Sequence, residues 1–287
     1  MKLLELLSTL HLLLSIQMFC QAVDLTMMTS AFDDQYIGCV RQMEREMEKV
    51  LEQEKRYKPL AVMWYLAEQS WMKVKQSNVF PPGFKDEYGI AVILYTKESP
   101  FPIYQQLNRN VSIAGRSRQH YMDKFHFKAL HFYLTRALQV LGGGGCETGS
   151  QAYRGSWMRY KKVSADLRFG QFASSSLTQQ TAKRFGTNTL FTIYTCYGVN
   201  VEAFSDFKED EVLIPVAEKF EAIKISDSSY VLRSSGHQCS YYNCAYLGGE
   251  KRTQPICSSA LGCLLHYYPK SLLILTGLSL TLNILFF

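Results

Sequence analysis

Several kinds of chemistry are missing from this chain of 287 residues. Its eight cysteines and six histidines include no Cys-x-x-Cys pair and no Cys/His spacing suited to zinc, so no metal is expected. No Lys/Arg block concentrates the formal charge of +6, which makes nucleic acid a poor partner. There is no Gly-x-Ser-x-Gly and no paired histidine motif, which leaves serine-hydrolase chemistry without support. The glycine run Gly142–Gly145 fits neither dinucleotide nor P-loop spacing. It follows a periodic apolar segment instead of opening one, and reads as a helix stop. Nothing repeats, and no linker divides the chain. What is present is a 47% hydrophobic composition with 18 Tyr and 17 Phe, the makings of a packed core.

Both ends carry compartment signals. Met1-Lys2 followed by the apolar run Leu3–Ile16 is too short to span a bilayer comfortably, and Cys20 and Ala22 supply small residues for cleavage. The expectation is a signal peptide over 1–20. At the other end an apolar stretch from Leu272 to Phe287 has no basic stop after it, and the small residues Ser258-Ser259-Ala260 precede it. That order matches a glycosylphosphatidylinositol attachment signal, with Ser258 or Ser259 as the modified residue and 259–287 as a removed propeptide. A tail-anchored helix is the alternative. Cys39, Cys146, Cys196, Cys239, Cys244 and Cys257 remain between these segments, an even set that suggests disulfides of open connectivity. Asn110-Val111-Ser112 is a glycosylation site in a secreted chain.

Apolar spacing predicts helices over 42–57, 60–75 and 123–141. The run 90–95 fits a buried strand or a helical turn. After Cys146 the composition shifts to short strands, expected over 152–154, 168–173, 190–197, 212–215, 220–225 and 230–233. A helical first half and a strand-rich second half make an α+β protein.

Three features of the second half could carry chemistry. Tyr153-Arg154-Gly155 offers an arginine suited to phosphate and a glycine that admits a ligand to the backbone, although most such arginines are surface residues. Ser174-Ser175-Ser176 places hydroxyls at a strand end before a helix, where Ser175 or Ser176 could equally be its N-cap. Glu209-Asp210-Glu211 leads into the apolar run Val212-Leu213-Ile214. If that segment is extended, Glu209 and Glu211 share a face; an acidic loop tip is the plainer reading. Paired carboxylates can stabilise developing positive charge while one accepts a proton.

In this order, Arg, then Ser-x-Ser, then Glu-x-Glu, the chain resembles the R-S-E class of mono-ADP-ribosyltransferases. It is most similar to the vertebrate glycosylphosphatidylinositol-anchored ecto-ADP-ribosyltransferases, particularly their rodent T-cell type 2. The resemblance spans nearly the whole chain, including Phe127–Thr135. It implies a single catalytic domain over 21–258, with helices packed on two roughly perpendicular β-sheets that form a cleft for NAD, the substrate. It implies further that Arg154 holds the NAD phosphates or ribose, and that the Gly155 backbone binds the nicotinamide amide. Ser174 would orient the nicotinamide ribose and Glu211, and Glu211 would be the catalytic glutamate. Phe185 is a candidate to stack on nicotinamide, or an ordinary core ring. Disulfides Cys146–Cys196 and Cys39–Cys244 are implied, with Cys239 and Cys257 outside that scheme.

Cleavage of the nicotinamide–ribose bond builds positive charge on the ribose, which a fixed carboxylate stabilises. A protonated guanidinium is a poor nucleophile, so Glu209 would position an acceptor arginine and take its proton. Phe204 and Phe207 could form an apolar ledge for that side chain, or simply anchor the loop. The expected activity is transfer of ADP-ribose to arginines of cell-surface or secreted proteins. NAD hydrolysis would be a side reaction, from a lipid-anchored monomer on the outer face of the plasma membrane. The alternatives are a predominant NAD glycohydrolase and a non-catalytic surface module.

Overall fold

The computed structural model describes residues 23–142 and 145–259. The signal segment 1–20, Cys263 and the apolar tail lie outside the described residues, as do Gly143 and Gly144. Six helices precede the strand-rich half: α1 (Val40–Glu54), α2 (Lys58–Ser77), α3 (Asp86–Thr96), α4 (Ile103–Ala114), α5 (Arg118–Lys124) and α6 (Lys128–Leu141). Helix α1 buries Met43, Met47, Val50 and Leu51 on one stripe, the pattern of an amphipathic surface helix. In α2, Pro59 falls in the first turn, where its missing N–H leaves no bond unmade. Helix α3 decides the ambiguous run 90–95: every residue from Tyr88 to Thr96 is buried. A helix enclosed on all sides shows no period to read.

The single helix expected over 123–141 is two. The chain breaks at Phe125–Phe127, both of these aromatic rings are buried, and α6 starts afresh at Lys128. Its first free N–H groups are satisfied by the Glu54 carboxylate from α1, which accepts from Lys128 N and, at 3.2 Å, from Ala129 N. A cap supplied by a distant helix leaves no local signature.

The described residues form eleven strands, numbered in chain order: β1 (Val23–Leu25), β2 (Ser150–Ser156), β3 (Tyr160–Val163), β4 (Asp166–Leu167), β5 (Ala173–Ser176), β6 (Thr189–Thr195), β7 (Val199–Asn200), β8 (Glu211–Ile214), β9 (Glu218–Ser226), β10 (Ser229–Ser240) and β11 (Ile256–Ser259). Strands β1 and β3 form a small parallel pair; the rest join in the order β4-β9-β10-β6-β2-β5-β8-β7, with β11 added to β10. The seam lies between β2 and β5, where one register pair, Tyr153 opposite Ser176, links the two ladders. The architecture is α+β, with one larger and one smaller ladder meeting beside the helices.

No strand runs over 168–173. The chain turns through Gly170 (φ +68°), and the Arg168 side chain enters the interior to pair with Asp33 at 2.5 Å. It also donates to the carbonyls of Met27 and Cys239 at 2.6–3.0 Å. Among the described residues three disulfides staple the fold: Cys39–Cys244, Cys146–Cys196 and Cys239–Cys257. The last joins residues directly opposite each other on β10 and β11.

Candidate active site

Three strands at the seam deliver the polar residues. Ser176 of β5 lies opposite Tyr153 of β2 on one side and opposite Glu211 of β8 on the other. Residues opposite in register share a face, and so do residues two apart. Ser174, Ser176 and Glu211 therefore project together. Arg154 lies over the Phe169 ring at 5.9 Å and donates from Nη1 to the Ser174 carbonyl. Arg154, Ser174, Glu211, Glu209, Gly155, Phe185 and Phe207 all line one cavity of about 340 Å³, within the range of small-molecule sites.

Glu211 is 9% exposed. Burial pushes its carboxyl up to about 7, the Glu209 and Glu202 charges act the same way, and the Ser174 hydrogen bond with the Arg154 charge opposes them. Burial and the Glu98 and Glu202 charges also raise Glu209, against Arg184. A carboxylate held in low dielectric responds strongly to a cation formed beside it.

The extended geometry expected for Glu209-Asp210-Glu211 is not what joins these two groups. Asp210 takes a left-handed conformation (φ +49°), which short polar side chains tolerate. Glu211 opens β8 while Glu209 stays in the loop, its carbonyl accepting from Ser176 Oγ at 2.7 Å. The two carboxylates meet in the cavity through a turn rather than through strand alternation.

Other expectations change as well. Phe204 is not a ledge: its ring is buried among Trp71, Phe80 and Phe84, leaving Phe207 exposed at the cavity wall. The helix after β5, α7 (Gln179–Arg184), is capped by Thr178, whose side chain accepts from Thr181 N; neither Ser175 nor Ser176 serves as its N-cap. At Gly155 a Cβ would lie 2.2 Å from the Ala182 carbonyl oxygen and 2.4 Å from that of Gly186. The glycine is required there by the close approach of α7. Phe185, at the end of α7, is half-exposed in the cavity, not a core ring.

Helical residues complete the wall without any sequence signal. Tyr95 donates to the Phe172 carbonyl at 3.1 Å, accepts from Asn108 at 3.0 Å, and meets the Ser174 hydroxyl at 3.5 Å. Tyr95 sits in the enclosed α3 and Asn108 in α4; neither lies near the motifs in sequence. The glycosylation and anchor candidates, Asn110 and Ser258, lie outside the cavity. Asn110 is half-buried within α4, its amide donating to the Gln106 carbonyl at 2.8 Å. Ser258 lies in β11, its hydroxyl bonded to Gln35 Oε1 at 3.1 Å, and Ser259 ends that strand.

A family model described as NAD:arginine ADP-ribosyltransferase matches residues 25–240. The chain is 43% identical over 263 residues to ecto-ADP-ribosyltransferase 5 of Rattus norvegicus, covering 88% of this chain and 85% of the relative. Identity to GPI-linked NAD(P)(+)–arginine ADP-ribosyltransferase 1 of Mus musculus is 38%, covering 82% and 77%. For T-cell ecto-ADP-ribosyltransferase 2 of Mus musculus it is 39%, covering 79% and 78%. The type 5 relative is thus more similar than the T-cell type that the motifs suggested. Among solved structures, a glutamate-to-alanine variant of the mono-ADP-ribosyltransferase ART2.2 in complex with NADH has TM-score 0.71 and 36% identity. It covers 78% of this chain and 99% of that one.

Proposed function

The chain belongs to the NAD:arginine ADP-ribosyltransferase family, and from that premise we propose how its own residues carry the reaction. It transfers ADP-ribose from NAD to arginine side chains of proteins and releases nicotinamide. The observation that carries the assignment of residues is the buried Glu211, beside Ser174 and Arg154 on one cavity wall. NAD, as substrate, supplies a ribose whose bond to a cationic ring breaks to leave positive charge on the sugar. The Glu211 carboxylate stabilises that charge, and Ser174 holds the carboxylate in place. Arg154 offers its remaining donors to the phosphates or ribose, and the Gly155 backbone and the Phe185 ring hold the nicotinamide. Glu209 aligns the acceptor guanidinium and accepts its proton as the new bond forms, with Phe207 flanking the acceptor's stem.

The same reading puts the enzyme, as a monomer, outside the cell on a lipid anchor, acting on arginine-bearing surface or secreted proteins. The relatives include ecto-enzymes and a GPI-linked protein, which supports that location. The proposed maturation removes 1–20, attaches lipid at Ser258 with loss of 259–287 or at Ser259 with loss of the residues after it, and glycosylates Asn110. Release from cells by phosphatidylinositol-specific phospholipase tests the anchor. Incubation with labelled NAD and an arginine analogue tests the chemistry: ADP-ribosylated analogue is expected as the main product, and free ADP-ribose alone would make the protein a hydrolase.

A further inference from the structure

The cavity wall holds a large aromatic side chain that the reaction as described does not use. Trp157 follows directly after β2, lines the cavity and is 66% exposed. Its neighbour Met158 lines it too and is also exposed. The backbone beneath them is fixed. Asn188 Nδ2 donates to the Trp157 carbonyl at 2.6 Å, Thr189 Oγ1 to that of Met158 at 2.9 Å, and Met158 N donates to Ser156 Oγ at 3.0 Å. Gly186 is packed so tightly on this segment that a Cβ there would lie 2.2 Å from Trp157 N. A pinned backbone carrying an uncovered indole over the cavity suits a flat ligand.

Register tells which part of the substrate that ligand is. Glu211, Ser176 and Tyr153 stand opposite one another across β8, β5 and β2. Trp157 is four residues beyond Tyr153 and one past the end of β2, up to about 13 Å away at the rise of a strand. Alternating antiparallel pairs make β8 run in the same direction as β2. Glu209 precedes that strand and is reached through the left-handed Asp210, so strand direction does not set its place. On the indole's side are Gly155 and, through the contact of α7 with Gly155, Phe185. These are the residues to which the proposed mechanism gives the nicotinamide.

We propose that Trp157 is a nicotinamide-binding residue, its indole stacking on the positively charged pyridinium of NAD as the outer wall of the leaving-group subsite. The inference rests on the functional reading above. Indole is the strongest aromatic partner for a cation, and the pyridinium is cationic only until its bond to ribose breaks. The contact is therefore stronger in the bound substrate than in the departing neutral ring. Such an interaction lowers KM for NAD without raising kcat.

Two experiments decide it. In steady-state assays with an arginine analogue, Trp157→Ala should raise KM for NAD about tenfold, with kcat equal to or above that of the parent and KM for the analogue unchanged. Trp157→Phe should recover most of the loss, which a merely structural role would not predict. A rise in KM for the analogue with that for NAD unchanged would overturn the proposal and make Trp157 part of the acceptor surface. The second test needs no turnover. Trp64 and Trp71 are 2% and 4% exposed, so Trp157 is the accessible one of the chain's three tryptophans. Titration with the cationic ring N-methylnicotinamide should quench emission saturably in the parent, and that saturable component should vanish in Trp157→Phe. Linear quenching in both proteins would overturn the proposal. A protein that quenches saturably yet cleaves no NAD would instead refute the functional reading.

Discussion

Arg154 donates to the backbone carbonyl of Ser174, so the guanidinium bridges the seam where the two ladders share a single residue pair. The contact uses one arm of the fork and leaves the other donors for substrate. An ammonium can keep one such bond but cannot offer a planar pair. Arg154→Lys is accordingly expected to lower kcat/KM for NAD by about tenfold to a hundredfold, with a change in unfolding free energy of about 1 kcal/mol or less. Parallel NAD kinetics and urea unfolding separate the two effects.

Glu209 and Glu211 line the same cavity on different backbone geometry, and the roles proposed for them are separable. Glu209→Gln should abolish transfer to an arginine analogue while leaving NAD cleavage within about tenfold of the parent. Glu211→Ala should reduce both by about a hundredfold or more. Product analysis with labelled NAD reads both activities at once. Equal loss of the two in Glu209→Gln would reject the division of labour.

The pH profile follows from the same pair. Glu211 acts as the carboxylate, and burial raises its carboxyl to about 7. The profile of kcat/KM for NAD should fall about tenfold per unit below that value and level off above it. The Glu209 charge contributes to the elevation, so Glu209→Gln should move the acid limb of NAD cleavage to lower pH. A limb fixed near the ordinary carboxylate range in the parent enzyme would show that Glu211 is not the titrating group.

The order Arg, Ser-x-Ser, Glu-x-Glu was readable because each motif occupies a strand end with its own composition. How these ends meet was not. The left-handed Asp210 and the single Tyr153–Ser176 pair are properties of the assembled sheet, and Glu-x-Glu alternation suggested the right neighbours for the wrong reason. Phe204 and Phe207 look alike in sequence, yet the aromatic cluster around Trp71 takes one and leaves the other. Tyr95 escaped notice because a fully enclosed helix has no polar face to mark a ligand side, and Asn108 because it is one of several polar residues on an amphipathic helix. The α5–α6 break was hidden because its cap, Glu54, comes from a residue 74 positions earlier.

Asp33 and Arg168 form an ion pair with both side chains fully buried, and the same carboxylate accepts from Tyr241 N and Tyr242 N at 2.9–3.1 Å. Removing one partner of such a pair strands the other charge. Asp33→Ala should therefore cost about 3–5 kcal/mol in urea unfolding, although the residue lies outside the cavity. A loss near zero would mean that Arg168 finds solvent or another acceptor on its own.

Glu211 should also set activity against stability. Its carboxyl is pushed up to about 7 in the folded protein, against about 4.3 in an unfolded chain. Between these values the folded state binds the extra proton, so the stability it lends is present below the unfolded pKa and is lost as pH rises through about 7. At pH 8 the buried charge is then a net cost that a neutral amide does not carry. Glu211→Gln should therefore be more stable than the parent at pH 8 by about 1–3 kcal/mol, with the difference shrinking toward zero near pH 4.5, while its NAD cleavage is lost. Urea unfolding of both proteins across that range provides the measurement. A variant destabilised equally at every pH would show that the carboxylate is held by bonds strong enough to offset its burial.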